Sequence, residues 1–377
     1  MTDSEIAQAR LRNQRISGDP VDSPGQVAQW LVAVQAQDYA GAQWALGLRL
    51  PPGSVAADVD RALAEGTILR THVLRPTWHF VAPADIRWLL ALTAPRVHAV
   101  NGTIYRQQGL DGATLARGHR ALAAALEGGR QLTRDELRDA LERDGVAIGS
   151  GLRLAYIIMS AELDGVICSG ARRDKQFTYA LLDDRAPDAK ILAREDALAE
   201  LAGRYFRSRG PATVQDLAKW SGLTVADARR GLEAVEMQLE NVRVGDQVYW
   251  FPPPGAALTP TSPSAHLLSI YDEYVSGYKD HSAIGGDEVG TRLMALGNAL
   301  RFIIVIDGRI AGTWRRTLKK GAVVIETNLF RPLTEDERHA VALAADRYAA
   351  FLGLPAQVDV WRREAPASGL LAPSEGE

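Results

Sequence analysis

Three times along this chain, helical patterns broken by a tight turn are followed by two strand-like runs. This recurrence limits the fold more than any single residue does, because a helix-turn-helix that runs into a hairpin is a winged helix. The clearest copy is "GPATVQDLAKWSGLTVADARRGLEAVE". Thr213 is placed to cap a helix whose Val214, Leu217 and Ala218 form an apolar stripe. Ser221-Gly222 breaks the chain, and Thr224 caps a second helix with Val225, Ala228, Leu232 and Val235 at helical spacing. "NVRVGDQVYWF" then reads as two strands around Gly245-Asp246, a two-residue hairpin signal.

A second copy begins at Thr133, which forms a capping box with Glu136. "GLRLAYIIMSAELDG" supplies its next helix, and "VICSG" and "QFTYALL" its strands, joined by the basic stretch "ARRDK". In the first copy "SPGQVAQWLVAV" is expected to be helical, with Val27, Trp30, Leu31 and Val34 on one side. A helix at "SVAADVDRALAEG" and two strands in "ILRTHVLRPTWHFV" follow it. Beyond residue 253 the character changes. "FPPPGAALTPTSPS" reads as a Pro/Ser-rich connector. "LRFIIVIDGRIAGTWRRTLKKGAVVIETNLF" then alternates like antiparallel strands, with turns at Asp307-Gly308 and in "RRTLKKG". Thr334 and Glu337 box the start of a last helix.

The expected fold class is therefore α+β, with three tandem winged-helix modules and a C-terminal antiparallel β-rich, barrel-like part. The expected division is 1–120, 121–190, 191–253 and 254–365, with a flexible tail at 366–377. A chain of 377 residues is long enough for several cores. No apolar run reaches the roughly 18 residues of a membrane span, and "MTDSEIAQARLRNQR" lacks the apolar centre of a signal peptide. The single cysteine, Cys168, leaves no intramolecular disulfide and no Cys-rich zinc site. A reducing cytoplasm is expected, with the chain on the nucleoid when it acts on DNA.

Net charge is −3, which argues mildly against nucleic acid. The basic residues are clumped, however, and their distribution matters more than the total. Charge at the end of a hairpin can reach a groove, so Arg172, Arg173 and Lys175 in one tip, and Arg315, Arg316, Lys319 and Lys320 in another, are candidate DNA contacts. The plain alternative for each tip is a solvated loop, and winged helices also serve as protein scaffolds. The seven histidines are scattered without metal-ligand spacing, and neither Walker A nor GxSxG occurs, so no metal and no cofactor is expected. Asp272 and Glu273 are adjacent, and the expectation for strand neighbours is one exposed and one paired.

One stretch of the first copy is unusual: "WLVAVQAQDYAGAQWALG" puts two glutamines one residue apart where two helices meet. In a helix, residues i and i+2 point about 200° apart, whereas in an extended backbone they share a side. Gln35 and Gln37 can act together only if the chain leaves the helix there. Glutamine is ordinarily exposed and inert, so the motif gains meaning only from its surroundings.

Those surroundings, "AVQAQDYAGAQWALGLRL", "RTHVLRPTWHFVAPADIRWLLAL", "LLSIYDEYVSGYKD" and "AGTWRRTLKKG", resemble the AlkZ-type winged-helix DNA glycosylases with their YcaQ-like relatives. The resemblance covers most of the chain. It implies a C-shaped, DNA-binding body and a catalytic Gln-Φ-Gln motif, here Gln35-Ala36-Gln37, where the YcaQ branch has Gln-Φ-Asp. It also implies removal of bulky N7-alkylpurines and unhooking of interstrand crosslinks, often as self-protection against an alkylating antibiotic. The expected partner is double-stranded DNA with alkylated purines, acted on by a monomer. The small Ala36 and His281 after "YKD", where relatives commonly carry arginine, depart from the pattern.

The chemistry agrees with the residue types. Glycosidic hydrolysis passes through an oxocarbenium-like sugar. An N7-alkylguanine is already positive and leaves as a neutral base, so no general acid is needed. What remains is to hold a water below C1′ and to place dipoles beside the developing cation, and amides can do both. A crosslinked base cannot be flipped into a snug pocket, so an open channel with the glutamine pair at an exposed helix junction is expected. Ala36, pointing the other way, is expected to pack inward, and Trp314 to pack under the basic tip. The competing reading is a winged-helix transcriptional regulator without catalysis. It would normally dimerise on a two-fold operator.

Overall fold

The first two repeats are threaded in one order: helix, short strand, helix, helix, strand, strand, with the first strand hydrogen-bonded to the last, and the third keeps that order with a single bridge in place of the first strand. The computed structural model describes residues 1–253, 263–286, 289–291 and 302–359. After α1 (Asp3–Asn13), the first repeat comprises α2 (Pro24–Leu31), β1 (Ala33–Gln35), α3 (Tyr39–Gly47), α4 (Ala56–Glu65), β2 (Leu69–Val73) and β3 (Thr77–Val81), in sheet order β1-β3-β2. The long α5 (Ile86–Gln107) leads to the second repeat. That comprises α6 (Gly112–Leu126), β4 (Leu132–Thr133), α7 (Arg134–Arg143), α8 (Gly151–Leu163), β5 (Ile167–Ser169) and β6 (Thr178–Leu181), in order β4-β6-β5. A short α9 (Leu182–Arg185) follows. The third repeat has α10 (Arg194–Arg209), α11 (Val214–Ser221), α12 (Val225–Glu233), β7 (Glu240–Val244) and β8 (Gln247–Phe251). There Ala212 bridges to Trp250 in place of a first strand.

Local signals account for these elements. Thr133, Thr213 and Thr224 each accept the backbone N–H three residues on, as expected for N-caps. Gly222, with φ +74°, ends α11 in the left-handed region. A Cβ there would lie 2.7 Å from the Leu74 carbonyl oxygen, so the bare glycine lets the β2–β3 hairpin close onto the third repeat. Gly222→Ala is accordingly expected to cost about 2 kcal/mol or more, measured by urea denaturation.

The C-terminal part contains β9 (Ala265–Leu268), α13 (Glu273–Ser276), β10 (Ile303–Ile306), β11 (Arg309–Lys319), β12 (Ala322–Leu329), α14 (Glu335–Phe351) and β13 (Ala356–Asp359). Its sheet runs β13-β12-β11-β10-β9. The expectation of a purely antiparallel sheet is corrected at one edge, where β13 pairs parallel to β12. The reason is the crossover: α14 returns the chain across the sheet, and a helical crossover permits parallel pairing. Residues 254–262 of the connector, and the tail expected to be flexible, lie outside the described residues. No helix among the described residues is long and apolar enough to cross a membrane.

Two cores meet at β1. Val34 and Ala36 belong to one, with Trp44, Tyr348, Phe351 and the C-terminal sheet. Val32 and Ala33 belong to the other, with Trp220, Tyr205 and the third repeat. Trp44 packs 5.0 Å from Tyr348 and 5.2 Å from Phe351, ring centroid to centroid, tying α3 to α14. Burying an aromatic side chain of this kind contributes about 2–3 kcal/mol. The three residues of β1 are thus held between separately anchored bodies of packing.

Candidate functional site

The helix expected at "SPGQVAQWLVAV" stops early. α2 ends at Leu31, and Val32 adopts φ +66°, ψ −50°. That lies near the strained γ-turn, φ about +75° and ψ about −65°, and is unusual for a β-branched residue. Arg209 holds the kink. Its Nη1 donates to the Leu31 carbonyl at 2.8 Å, and its Nη2 to the Ala33 carbonyl at 3.1 Å. The chain then runs extended through β1, so Gln35 and Gln37 do leave the helix, as the i, i+2 argument requires.

Arg209 is neutralised by Glu273, which is completely buried. Glu273 Oε2 accepts from Arg209 Nη2 at 2.7 Å and from the Trp220 indole N–H at 2.8 Å. Its Oε1 accepts the backbone N–H of Gln35 at 3.0 Å. One carboxylate therefore joins the third repeat, the C-terminal part and the glutamine strand. Its neighbour Asp272, also buried, forms a two-pronged pair with Arg49 at 2.9 and 3.0 Å, and Arg49 in turn grips Gln14. The expectation of one exposed and one paired carboxylate is corrected, since both are buried and both are paired with arginine. These residues are not on a strand. Tyr271 turns at φ +65° and Asp272 caps α13, so the two side chains diverge within the interior. Sequence reasoning missed this network. Its only trace is Arg49 and Arg209 lying in apolar stretches, where an arginine needs a buried acid.

Gln35 pairs in register with His79 of β3. Its side chain is buried, with 8% of the residue exposed, and its Oε1 accepts from Arg75 Nη2 at 3.2 Å. Ala36 is fully buried and faces inward as expected; its N–H donates to the Trp78 carbonyl at 2.7 Å. Arg70 Nε donates to the Ala36 carbonyl at 3.1 Å. Gln37 is exposed, directly before Asp38, the N-cap of α3. Its Oε1 lies 3.5 Å from the Trp78 N–H. The expected exposed pair is thus corrected to one exposed amide and one nearly enclosed amide, because β1 is wedged between two cores. Both rest against the β2–β3 hairpin.

The titratable groups around the pair are constrained. Burial lowers the Arg75 pKa, and the nearby charge of Glu273 opposes that shift. Burial first, and then the charge of Arg75, lower His79 from an ordinary 6.5 to about 3. His79 is therefore a neutral imidazole at physiological pH and cannot supply a proton as imidazolium. Between pH 6.5 and about 3 the unfolded chain binds this proton and the folded chain does not. Its contribution to stability is complete above 6.5 and is lost as pH falls through that window. Melting temperature should fall between pH 7 and 5, with a shallower slope in His79→Gln. An unchanged slope would show that His79 does not carry it.

The basic candidates sort into two kinds. Arg172 pairs with Asp60 at 3.4 Å and its guanidinium lies 4.7 Å from the Tyr39 ring, close to the glutamine motif in sequence. Arg173 pairs with Glu136 at 2.7 Å. Arg315 and Arg316 are not at a hairpin tip, because β11 continues to Lys319 and the turn is at Lys320-Gly321. Alternation sends them to opposite faces. Arg315 pairs with Glu326 across the strands, and Arg316 lies over Tyr348 and donates to its hydroxyl. Trp314 is buried beneath, with Phe302 and Tyr348. Lys175, Lys319 and Lys320 are exposed and make no ion pair among the described residues. Exposed pairs such as those of Arg173 and Arg315 contribute little and can be exchanged for phosphate. A cleft of about 500 Å³ between α2 and α10, lined by Trp30 and Arg204, includes neither Gln35 nor Gln37.

Comparison with known proteins follows the same lines. A family model described as DNA glycosylase AlkZ-like matches residues 28–351. An interstrand DNA cross-link repair glycosylase of Streptomyces sahachiroi is 25% identical over 364 residues, spanning 91% of this chain and 93% of the relative. The solved structure of the Streptomyces sahachiroi DNA glycosylase AlkZ superposes with a TM-score of 0.79 at 22% identity, covering 95% of this chain and 100% of that one. These matches favour an enzyme over a transcriptional regulator.

Proposed function

The chain belongs to the AlkZ-like DNA glycosylase family, and from that premise we propose that it hydrolyses the N-glycosidic bond of cationic N7-alkylated purines in double-stranded DNA. Bulky adducts and interstrand crosslinks, the substrate named for the Streptomyces relative, fall within this class. On this reading the three repeats are winged-helix modules that, with the β-rich C-terminal part, form a C-shaped body. The chain works as a cytoplasmic monomer and protects against an alkylating natural product.

The observation that carries the reading is a pair of neutral amides whose buried titratable neighbours, His79 and Glu273, are both unavailable as acids. His79 is held neutral, and Glu273 is spent on Arg209, Trp220 and the strand. A site so equipped can stabilise charge and hold water but cannot readily protonate a leaving base. It suits a purine that departs neutral because it arrives positive. Electrostatic placement of this kind is commonly the largest catalytic contribution. Lys319 and Lys320 on one hairpin and Lys175 on another supply phosphate contacts, and Arg173 and Arg315 join them by exchanging their surface partners.

The test is incubation with duplexes carrying N7-methylguanine or a nitrogen-mustard crosslink, followed by detection of abasic sites. The reading requires wild-type protein to generate them. A protein that leaves both duplexes intact while retarding one particular promoter sequence would be a regulator.

A further inference from the structure

Gln35 and Gln37 belong to one motif, yet the structure gives their amides different surroundings. An amide side chain has one accepting end and one donating end, whereas a guanidinium only donates. Arg75 can therefore hold Gln35 only by its oxygen, and the 3.2 Å contact fixes which way the Gln35 amide is turned. The backbone N–H of Gln35 is already taken by Glu273. What Gln35 has left to offer is its NH₂ group. Gln37 is held far more loosely: its side chain is exposed and its oxygen lies only at the limit of hydrogen bonding from the Trp78 N–H, so that oxygen can still accept from water.

Arg75 is itself held in place. It sits at the apex of the β2–β3 hairpin, where Leu74 takes φ +63° and the Thr77 N–H donates to the Arg75 carbonyl at 2.6 Å. Its stem passes close to Gly222, where a Cβ would come within 3.2 Å of the Arg75 Cγ. Among the described residues it makes no ion pair, although it is half-buried. A half-buried arginine whose side chain is bonded to an amide oxygen and to no acid is poorly explained by stability alone.

We infer that Arg75 is a positioning residue that divides the work of the two glutamines: it keeps Gln35 as a donor to a DNA oxygen and leaves Gln37 as the acceptor for the attacking water. This rests on the glycosylase reading above and deepens it. In the hydrolytic step the water oxygen bonds to C1′ while the C1′–N9 bond breaks. The bonding pair goes to the purine and cancels its positive charge. The proton lost by the water passes to bulk solvent, since an amide oxygen orients that water without keeping its proton. Gln35, its oxygen occupied by Arg75, donates to a sugar or phosphate oxygen beside the reacting carbon.

A double-mutant cycle tests the assignment. Single-turnover rates on an N7-methylguanine duplex are measured for wild type, Arg75→Met, Gln35→Ala and the double variant, with thermal melts confirming that each is folded. Arg75→Met alone should slow base release about tenfold or more, and should cost less than about twofold once Gln35 is alanine. Arg75→Lys, which can still donate to the amide oxygen, should recover most of the rate. Gln37→Glu, which keeps an acceptor, should stay within about tenfold of wild type, and Gln35→Glu, which has lost its donor, should fall about a hundredfold or more. Selective ¹⁵N-glutamine spectra give a readout independent of rate, in which Arg75→Met moves the side-chain amide signals of Gln35 far more than those of Gln37. An equal rate loss from Arg75→Met in both backgrounds, an active Gln35→Glu with an inactive Gln37→Glu, or an unmoved Gln35 amide overturns the assignment while the glycosylase reading stands. A wild-type enzyme that releases no base overturns both.

Discussion

Gln37→Ala should lower the single-turnover rate of base release by about two to three orders of magnitude, the usual effect of losing one oriented dipole at a reacting centre. Gln37 is exposed, and the one hydrogen bond of its side chain among the described residues is a long one from the Trp78 N–H. Surface residues of that kind change stability by within about 0.5 kcal/mol when truncated. The variant should therefore melt like wild type, bind duplex DNA and fail in the chemical step. That combination separates a catalytic amide from a structural one. A Gln37→Ala protein that keeps full rate would show that the exposed member of the pair is dispensable.

Glu273→Ala should produce the largest loss of stability, about 3–5 kcal/mol. The carboxylate is completely buried and receives three hydrogen bonds, from Arg209, Trp220 and the Gln35 backbone. Removing it leaves the Arg209 guanidinium buried without an acid. It also frees the strand end that the pair Arg209–Glu273 holds after the strained Val32. Most of the penalty arises from the stranded charge rather than from net attraction within the pair. Adding Arg209→Met should therefore recover part of the loss, and urea denaturation of the single and double variants measures this directly. A loss below about 1 kcal/mol for Glu273→Ala would mean that the network does not anchor β1. Activity should be lost in both variants, because the single change takes from Arg209 the acid that holds it and from the Gln35 N–H its acceptor, and the double change also removes the Arg209 clamp on the carbonyls of Leu31 and Ala33.

The elements were legible where their signals are local. Thr133, Thr213, Thr224 and Thr334 cap helices because a hydroxyl finds the N–H three residues on without help from distant sequence. Asp307-Gly308 turns a hairpin because both residues accept positive φ. The extended path through Gln35-Ala36-Gln37 was also legible, since the spacing makes sense only outside a helix. What sequence could not show depends on partners far along the chain. The helix pattern runs on to Val34, and it is Arg209, whose side chain spans the carbonyls of Leu31 and Ala33, that accompanies its end at Leu31. Glu273 reads as an ordinary acid until Arg209 and Trp220 are brought to it. Arg315 and Arg316 look like one basic tip, but strand alternation sends one to solvent and the other onto Tyr348. Within the site, the motif was visible and its asymmetry was not, because the burial of Gln35 comes from two cores that meet only in the fold.

The dependence of rate on the charge of the leaving base probes the central idea most directly. Single-turnover release should be compared between duplexes identical except for one purine, N7-methylguanine in one and neutral hypoxanthine in the other. With His79 held neutral and Glu273 occupied by Arg209, Trp220 and the strand, the account predicts rapid release of the cationic base and a rate for hypoxanthine lower by at least about three orders of magnitude. Comparable rates for the two bases would contradict it, because they would require a proton donor that this pair of amides does not provide.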